Sequence, residues 1–526
     1  MSVLRTEVDG VPTLFAERTD GHVTGGLVFR VGWADENLAV RGLTHVVAHL
    51  AMTGLVEDVH RYVDTHATYT QFRAQGTAQS VSHVLSGLCT AFSELPVDGL
   101  EPEKELVLAE ADGRHRVPRP DALYRYGASS HGLCAYPETG VPAIGPDLVR
   151  VWAAEAFTRG NVVLWLSADR LPAGLRLPLP EGPRLPPPAG ADSRTPTPAW
   201  YRSPDPDLLT VTGVVPRSPA SVVFTDVLGA ALHREVCEEH ALSHAAGAVL
   251  TVRDADSAVV TVTADSHPGE RAGVTGGFVD VLARLRWGAL LDEEVAAAAR
   301  AAADQVSRAA ADHETVSARA VGELLGIPHP EPDEHAAALA AVGPDDVRAC
   351  AEAFAASSLA GVADRGLGWA GWAAAPLSSP HELDGRTYPG RDGHGTALVV
   401  ADEGVSVVGP GLRSTVRYAD LVLMTSYADG GRHLVGGDGF GVEVEPTLFA
   451  IDGAALARID EAVDLARVVR APARAAQDLP QPRPAEPDPP APVPPPAVPH
   501  AAPDLTPAAS RPGWRDRLPR LGRRSS

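Results

Sequence analysis

The run Thr44-His45-Val46-Val47-Ala48-His49-Leu50 reads as a helix that carries two histidines four residues apart. At that spacing both side chains leave the helix from one face, one turn apart, which lets two imidazoles grip a single metal ion. Downstream, Glu103-Lys104-Glu105-Leu106-Val107-Leu108-Ala109-Glu110 also reads as helical, and its Glu103 and Glu110 share a face. If Glu110 joins His45 and His49, the fold must pack these two helices side by side, and that narrows the architectures open to the chain. Two histidines and a carboxylate make a three-ligand set for zinc, with a fourth tetrahedral position left for a water. A His pair at this spacing is by itself more often incidental than ligating, so the flanking text matters.

From Val31-Gly32-Trp33-Ala34-Asp35-Glu36 through Arg41-Gly42-Leu43 to His49, that text resembles the insulinase/pitrilysin metallopeptidases, whose inverted zinc motif reads H-x-x-E-H. The resemblance implies zinc held by His45, His49 and Glu110, with Glu110 ending the family's E-x-x-x-x-x-x-E run. It also implies a lost base. The glutamate that activates the metal-bound water is replaced by Ala48, and a methyl group takes no proton. Glu103 is the nearest alternative base, with His66 behind it.

Two further positions of the family's site are altered. Thr65-His66-Ala67-Thr68 falls where the family has N-A-x-T beside the metal, so His66 replaces the Asn. Cys237-Glu238-Glu239-His240-Ala241-Leu242-Ser243-His244 aligns with R-E-x-x-G-L-A-Y, whose arginine and tyrosine hold the substrate carbonyl and the oxyanion. Here Cys237 stands for the arginine and His244 for the tyrosine. Loss of one such donor costs on the order of 100-fold or more in rate. The resemblance therefore implies a proteolytically inactive homologue that binds a peptide or a partner protein. The alternatives are an active zinc endopeptidase with a relocated base, and a scaffold docked to a membrane or complex. Family chambers use two pairs of half-domains and this chain has one, which implies a homodimer or a heterodimer with a related subunit.

At 526 residues, 44% of them hydrophobic, the chain can bury two or three cores. Its net charge of −22 argues against nucleic acid as a partner of the folded part. The N-terminal residues lack the apolar core of a signal peptide and no long apolar run suggests a membrane span, so a cytoplasmic protein is expected. Cys89, Cys134, Cys237 and Cys350 lie far apart, which indicates buried thiols and neither a disulfide framework nor a cysteine metal site. His22, His83, His115 and His131 fit no ligand pattern.

The expected fold class is α+β: two homologous half-domains over 1–170 and 201–365, joined by a stiff Pro-rich surface linker over 171–200. In the first half Val11 to Ala16 and Val23 to Val31 read as β-rich, Gly42 to Gly54 as helical and Tyr69 to Ser80 as strand-like again, and the repetition of such stretches in outline in the second half supports the duplication. Residues 376–470 read as short strands with Gly/Asp turns followed by a helix from Gly453 to Val469, an order that resembles a pleckstrin-homology-like (PH-like) module. Its arginines, Arg413, Arg417 and Arg432, are scattered, which favours protein contact over lipid. Residues 471–526 form a Pro-rich tract expected to be disordered. Its end sets Trp514, Leu518 and Leu521 among six arginines, a pattern suited to an anionic membrane surface or an acidic partner, the plainer reading being a solvated basic tail.

Overall fold

The structure is a computed structural model. It describes residues 3–18, 21–55, 59–114, 119–188, 193–288, 292–309, 313–363, 366–393 and 395–482. His115 and the tail from residue 483 onward, with Trp514 and its arginines, lie outside the described residues.

In the first half, β1 (Val3–Val8), β2 (Val11–Glu17), β3 (Val23–Phe29), β4 (His60–Thr65), β5 (Thr70–Gly76) and β6 (Val162–Ala168) form one sheet. Its order is β1-β2-β6-β3-β5-β4, with β2 and β6 parallel and the remaining pairs antiparallel. The helices are α1 (Leu43–Met52), α2 (Ala78–Ser93), α3 (Leu100–Arg114), α4 (Pro120–Tyr126) and α5 (Pro146–Ala156). Val46, Val47 and Leu50 of α1 and Val81, Leu85 and Leu88 of α2 recur at helical spacing and bury against Leu27, Phe29 and Phe72 of the sheet.

The second half repeats the design. It contains β7 (Ala199–Arg202), β8 (Leu208–Pro216), β9 (Ala246–Val252), β10 (Ser257–Asp265), β11 (Leu359–Val362) and β12 (Ala373–Ala374). Its helices are α6 (Pro219–His233), α7 (Arg271–Trp287), α8 (Asp292–Ala309), α9 (His313–Leu325), α10 (Pro332–Ala340) and α11 (Pro344–Ser357). The sheet order is β12-β7-β11-β8-β10-β9, again with a parallel pair, β7 and β11, leading into three antiparallel ones. Five consecutive strands thus match in order and sense between the halves.

Each half also lends a helix to the other. On α9, Val316, Ala320 and Leu324 form one stripe that covers Leu14, Val28, Val163 and Trp165 on the outer face of the first sheet. In return α4 lies on the second sheet: Tyr124 stacks on Tyr201 at 5.1 Å, and Arg125 Nη2 donates to Ser357 O at 2.9 Å.

The C-terminal module comprises β13 (Arg386–Pro389), β14 (Ala397–Val400), β15 (Gly404–Gly409), β16 (Leu412–Arg417), β17 (Leu421–Tyr427), β18 (Arg432–Gly436), β19 (Gly441–Val444), α12 (Gly453–Ala462) and β20 (Val468–Ala471). Two four-stranded sheets, β13-β14-β15-β16 and β19-β18-β17-β20, enclose a core that α12 closes through Ala455 and Ile459. Leu423, Val435 and Val469 pack this module against Leu38, Ala39, Ala128 and Leu133 of the first half.

Four expectations need correction. The helix from Gly453 stops at Ala462; Asp464 then caps a short turn by accepting from Ala466 N at 3.0 Å, and the β-branched Val468 and Val469 join β17 as a parallel strand. The strand-like stretch from Tyr69 to Ser80 ends at Gly76, because Thr77 caps α2 by accepting from Ser80 N at 3.1 Å. The stretch after residue 170 is not only a surface linker: Leu175, Leu177 and Leu179 bury in the first core. The free thiols are not uniformly buried, since Cys134 and Cys237 are half-buried, whereas Cys89 and Cys350 are buried.

Candidate metal centre

The helix that carries the histidine pair starts where only glycine fits. Gly42 has φ +102°, and a Cβ there would stand 2.5 Å from Val141 Cγ2. Glycine offers no capping side chain, so Glu36 takes that role. One of its oxygens accepts from Thr44 N at 2.7 Å, the other from Gly42 N at 2.8 Å and from Arg41 Nη1 at 3.2 Å. Burial pushes the Glu36 pKa up, while Arg41 and the helix amides pull against it. Trp152 Nε1 donates to Thr44 Oγ1 at 3.1 Å, which locks the first turn.

From this turn both imidazoles aim their Nε2 atoms at α3. His45 Nε2 lies 3.5 Å and His49 Nε2 3.8 Å from the same oxygen of Glu110, and the two rings stand 4.6 Å apart at 87°. The Nδ1 atoms face two other carboxylates: Glu138 at 3.0 Å from His45 and Glu103 at 3.2 Å from His49. With Nδ1 of each ring turned to a carboxylate, Nε2 is the nitrogen through which each histidine would bind a metal. One ligand atom from each of His45, His49 and Glu110 lies within 4.8 Å of the others. This donor set fits zinc, which when bound would polarise a carbonyl or acidify a water. His45 is buried and Glu110 exposed, so the centre opens toward solvent on the α3 side. Burial and the neighbouring His45 push the His49 pKa down, opposed by Glu110 and Glu103.

Ala48 is fully buried in the first core. Glu103 has both oxygens engaged, one by His49 and the other by Thr53 Oγ1 at 3.0 Å. Glu138 is the residue that sequence reasoning missed; it sits in an irregular loop 93 positions from His45, with no periodicity to flag it. His66 is not part of the histidine–glutamate cluster. Its ring stacks on Tyr69 at 4.3 Å, its carbonyl accepts from Trp33 N at 3.0 Å, and burial pushes its pKa down. Cys237 packs against the second core, and the His244 ring meets His267 at 4.6 Å, so the contacts of both belong to the second half.

Solved structures share this architecture. A protease from Helicobacter pylori is similar at TM-score 0.59 and 13% identity, covering 69% of this chain and 100% of that one. An inactive domain of an M16 peptidase from Pseudomonas fluorescens is similar at TM-score 0.55 and 16% identity, covering 69% and 98%. The chain has the M16 peptidase fold. A chain of Complex III2 from Candida albicans is similar to it at TM-score 0.57 and 15% identity, covering 68% of this chain and 95% of that one. At such identities the M16 likeness establishes architecture and leaves chemistry to the residues. No family model and no curated protein matches the sequence.

Proposed function

We propose that this chain is a degenerate insulinase/pitrilysin homologue that holds zinc at His45, His49 and Glu110, lacks peptidase activity, and binds a peptide or partner protein. The observation that carries the reading is the centre itself. In support, His45, His49 and Glu110 converge within 4.8 Å with Glu138 and Glu103 against the two Nδ1 atoms, while the position of the family's proton-accepting glutamate holds Ala48. Glu103 is read as the support of His49, whose Nδ1 it faces at 3.2 Å, and not as a relocated base. Cys237 and His244 offer no guanidinium or phenol for an oxyanion.

Elemental analysis of the purified protein tests the metal, with about one zinc per chain expected and abolished by His45→Ala. Peptide cleavage tests the rest: the wild type should be inert, and chelator-sensitive cleavage by it would establish the endopeptidase alternative instead. Cleavage restored by Ala48→Glu would show that only the base was missing.

The C-terminal module we read as PH-like and as a protein contact, in a protein of the cytoplasm. In support, Arg413, Arg417 and Arg432 are paired with Glu382, Asp420 and Asp460, which leaves them poorly suited to lipid headgroups. Among the described residues no helix is long and apolar enough to cross a membrane. Pairing with a second copy or a related subunit would supply the other half of a peptide-binding chamber, and sedimentation of the purified chain tests it. The scaffold reading, with the tail on a membrane or complex, predicts that deleting residues 376–526 changes localisation.

A further inference from the structure

A cavity of about 470 Å³ opens between the two halves, walled by residues 65–69 and 119–134 on one side and by Thr212 and residues 251–261 on the other. It is distinct from the histidine–glutamate centre, none of whose residues line it. The charged groups on its wall are three arginines and one aspartate, in a chain with a net charge of −22.

The pairing of these groups is uneven. Asp121 spends both oxygens on Arg119, each at 3.1 Å. Arg253 holds Asp254, outside the wall, through Nε at 3.0 Å. Arg125 has only neutral hydrogen-bond partners. Its Nη2 donates to Thr212 O at 3.0 Å, Thr212 Oγ1 at 3.3 Å and Ser357 O at 2.9 Å, and among the described residues all its side-chain hydrogen bonds run through that nitrogen. Yet the residue is only 3% exposed. Burial pushes its pKa down and Arg253 adds to the effect; His131, on the same wall, is pushed down by the same two causes. Tyr126 and Asp121 act the other way on Arg125, but Asp121 gives its hydrogen bonds to Arg119, so an anion seated beside Arg125 lowers the cost of burying it. The remaining wall is rich in rings: Trp33, Tyr126 and the stacked His66–Tyr69 pair. The volume is that of a site for a small organic molecule.

We propose that this cavity binds a small organic anion, a carboxylate or phosphate monoester borne on a planar ring, with Arg125 and Arg253 taking the anionic group and Trp33, Tyr69 and Tyr126 packing on the ring. The site is independent of the metal reading. Phenyl phosphate and benzoate are suitable probes, benzyl alcohol is the neutral control, and inorganic phosphate reports the anion alone. In calorimetric titrations of the full chain, one of the two ring anions should bind at least about tenfold tighter than benzyl alcohol. Arg253→Gln should weaken that binding roughly 10- to 100-fold, the worth of one charge-assisted hydrogen bond. Which probe binds decides between carboxylate and phosphate. Arg125→Met should also abolish binding; because Arg125 ties the two halves together and its loss can unfold the chain, Arg253→Gln, at a partly buried position, carries the test. Failure of both ring anions to bind at millimolar concentration, or unchanged binding in Arg253→Gln, would overturn the proposal.

Discussion

Glu138→Gln probes the centre through a residue that is not itself a candidate ligand. The amide keeps the carboxylate's shape and can still accept from His45 Nδ1, but the acceptor loses its charge, and charge-assisted hydrogen bonds are about twice as strong as neutral ones. The pair is shielded from water: the side chains of His45 and Glu138 are 5% and 6% exposed, against 14% and 16% for His49 and Glu103. Arg41, 3.6 Å from Glu138, retains Glu36 at 3.2 Å, so no buried charge is orphaned. Losing the carboxylate support of a metal-bound histidine costs about 10- to 100-fold in affinity, or about 1.4–2.7 kcal/mol. The expected zinc affinity of Glu138→Gln is lower by that range, with the more solvated Glu103→Gln at its lower end. Competition against a chromophoric chelator at fixed pH measures both, and thermal unfolding in excess chelator checks that the fold persists. Unchanged affinity in Glu138→Gln, or a larger loss in Glu103→Gln, would refute the reasoning.

Ala320→Glu puts a carboxylate against the apolar outer face of the first sheet, where the alanine is fully buried; a cost of several kcal/mol is expected, seen as a clear drop in Tm, and an unaltered Tm would mean that α9 does not cover that face. Val435→Asp does the same at the seam between the C-terminal module and the first half, and should raise protease sensitivity near Leu133 without unfolding the second half. Asp429 is held by Arg474 through Nη2 at 2.6 Å and Nε at 3.0 Å, which keeps its pKa well below the usual carboxylate range. Its stabilisation is therefore present above the unfolded value of about 4 and lost as pH falls through the folded one, so the Tm gap between wild type and Asp429→Asn should shrink on acidification; a constant gap would count against it.

What the sequence disclosed and what it withheld follow from the range of the forces involved. His45 with His49, and Glu103 with Glu110, are set by helical periodicity, a local rule, and the structure brings all four together. The repeated strand order was visible in outline for the same reason. Glu138 was not, because a loop residue reaches His45 through tertiary packing alone. Nor did α2, α6 and α7 stand out in the text, although their apolar stripes bury well. The alternating leucines at 175, 177 and 179 were hidden by the prolines around them, which set the backbone but not the direction of the side chains. The surroundings of His66 were not legible either: Gly32 lets the chain pass so close to it that a Cβ there would be 2.2 Å from its carbonyl oxygen, and its ring turns to Tyr69.

The exchange of α4 and α9 has a consequence during synthesis. When β6 leaves the ribosome, the outer face of its sheet, including Trp165, has no cover until α9 follows about 145 residues later. At about 5–20 residues per second that wait lasts roughly 7 to 30 seconds, long compared with the microseconds in which a hairpin forms. A nascent chain of this kind carries a greasy, strand-rich surface through more than a quarter of its synthesis, and its yield in a cell should depend on how well chaperones shelter that surface until the returning helix arrives.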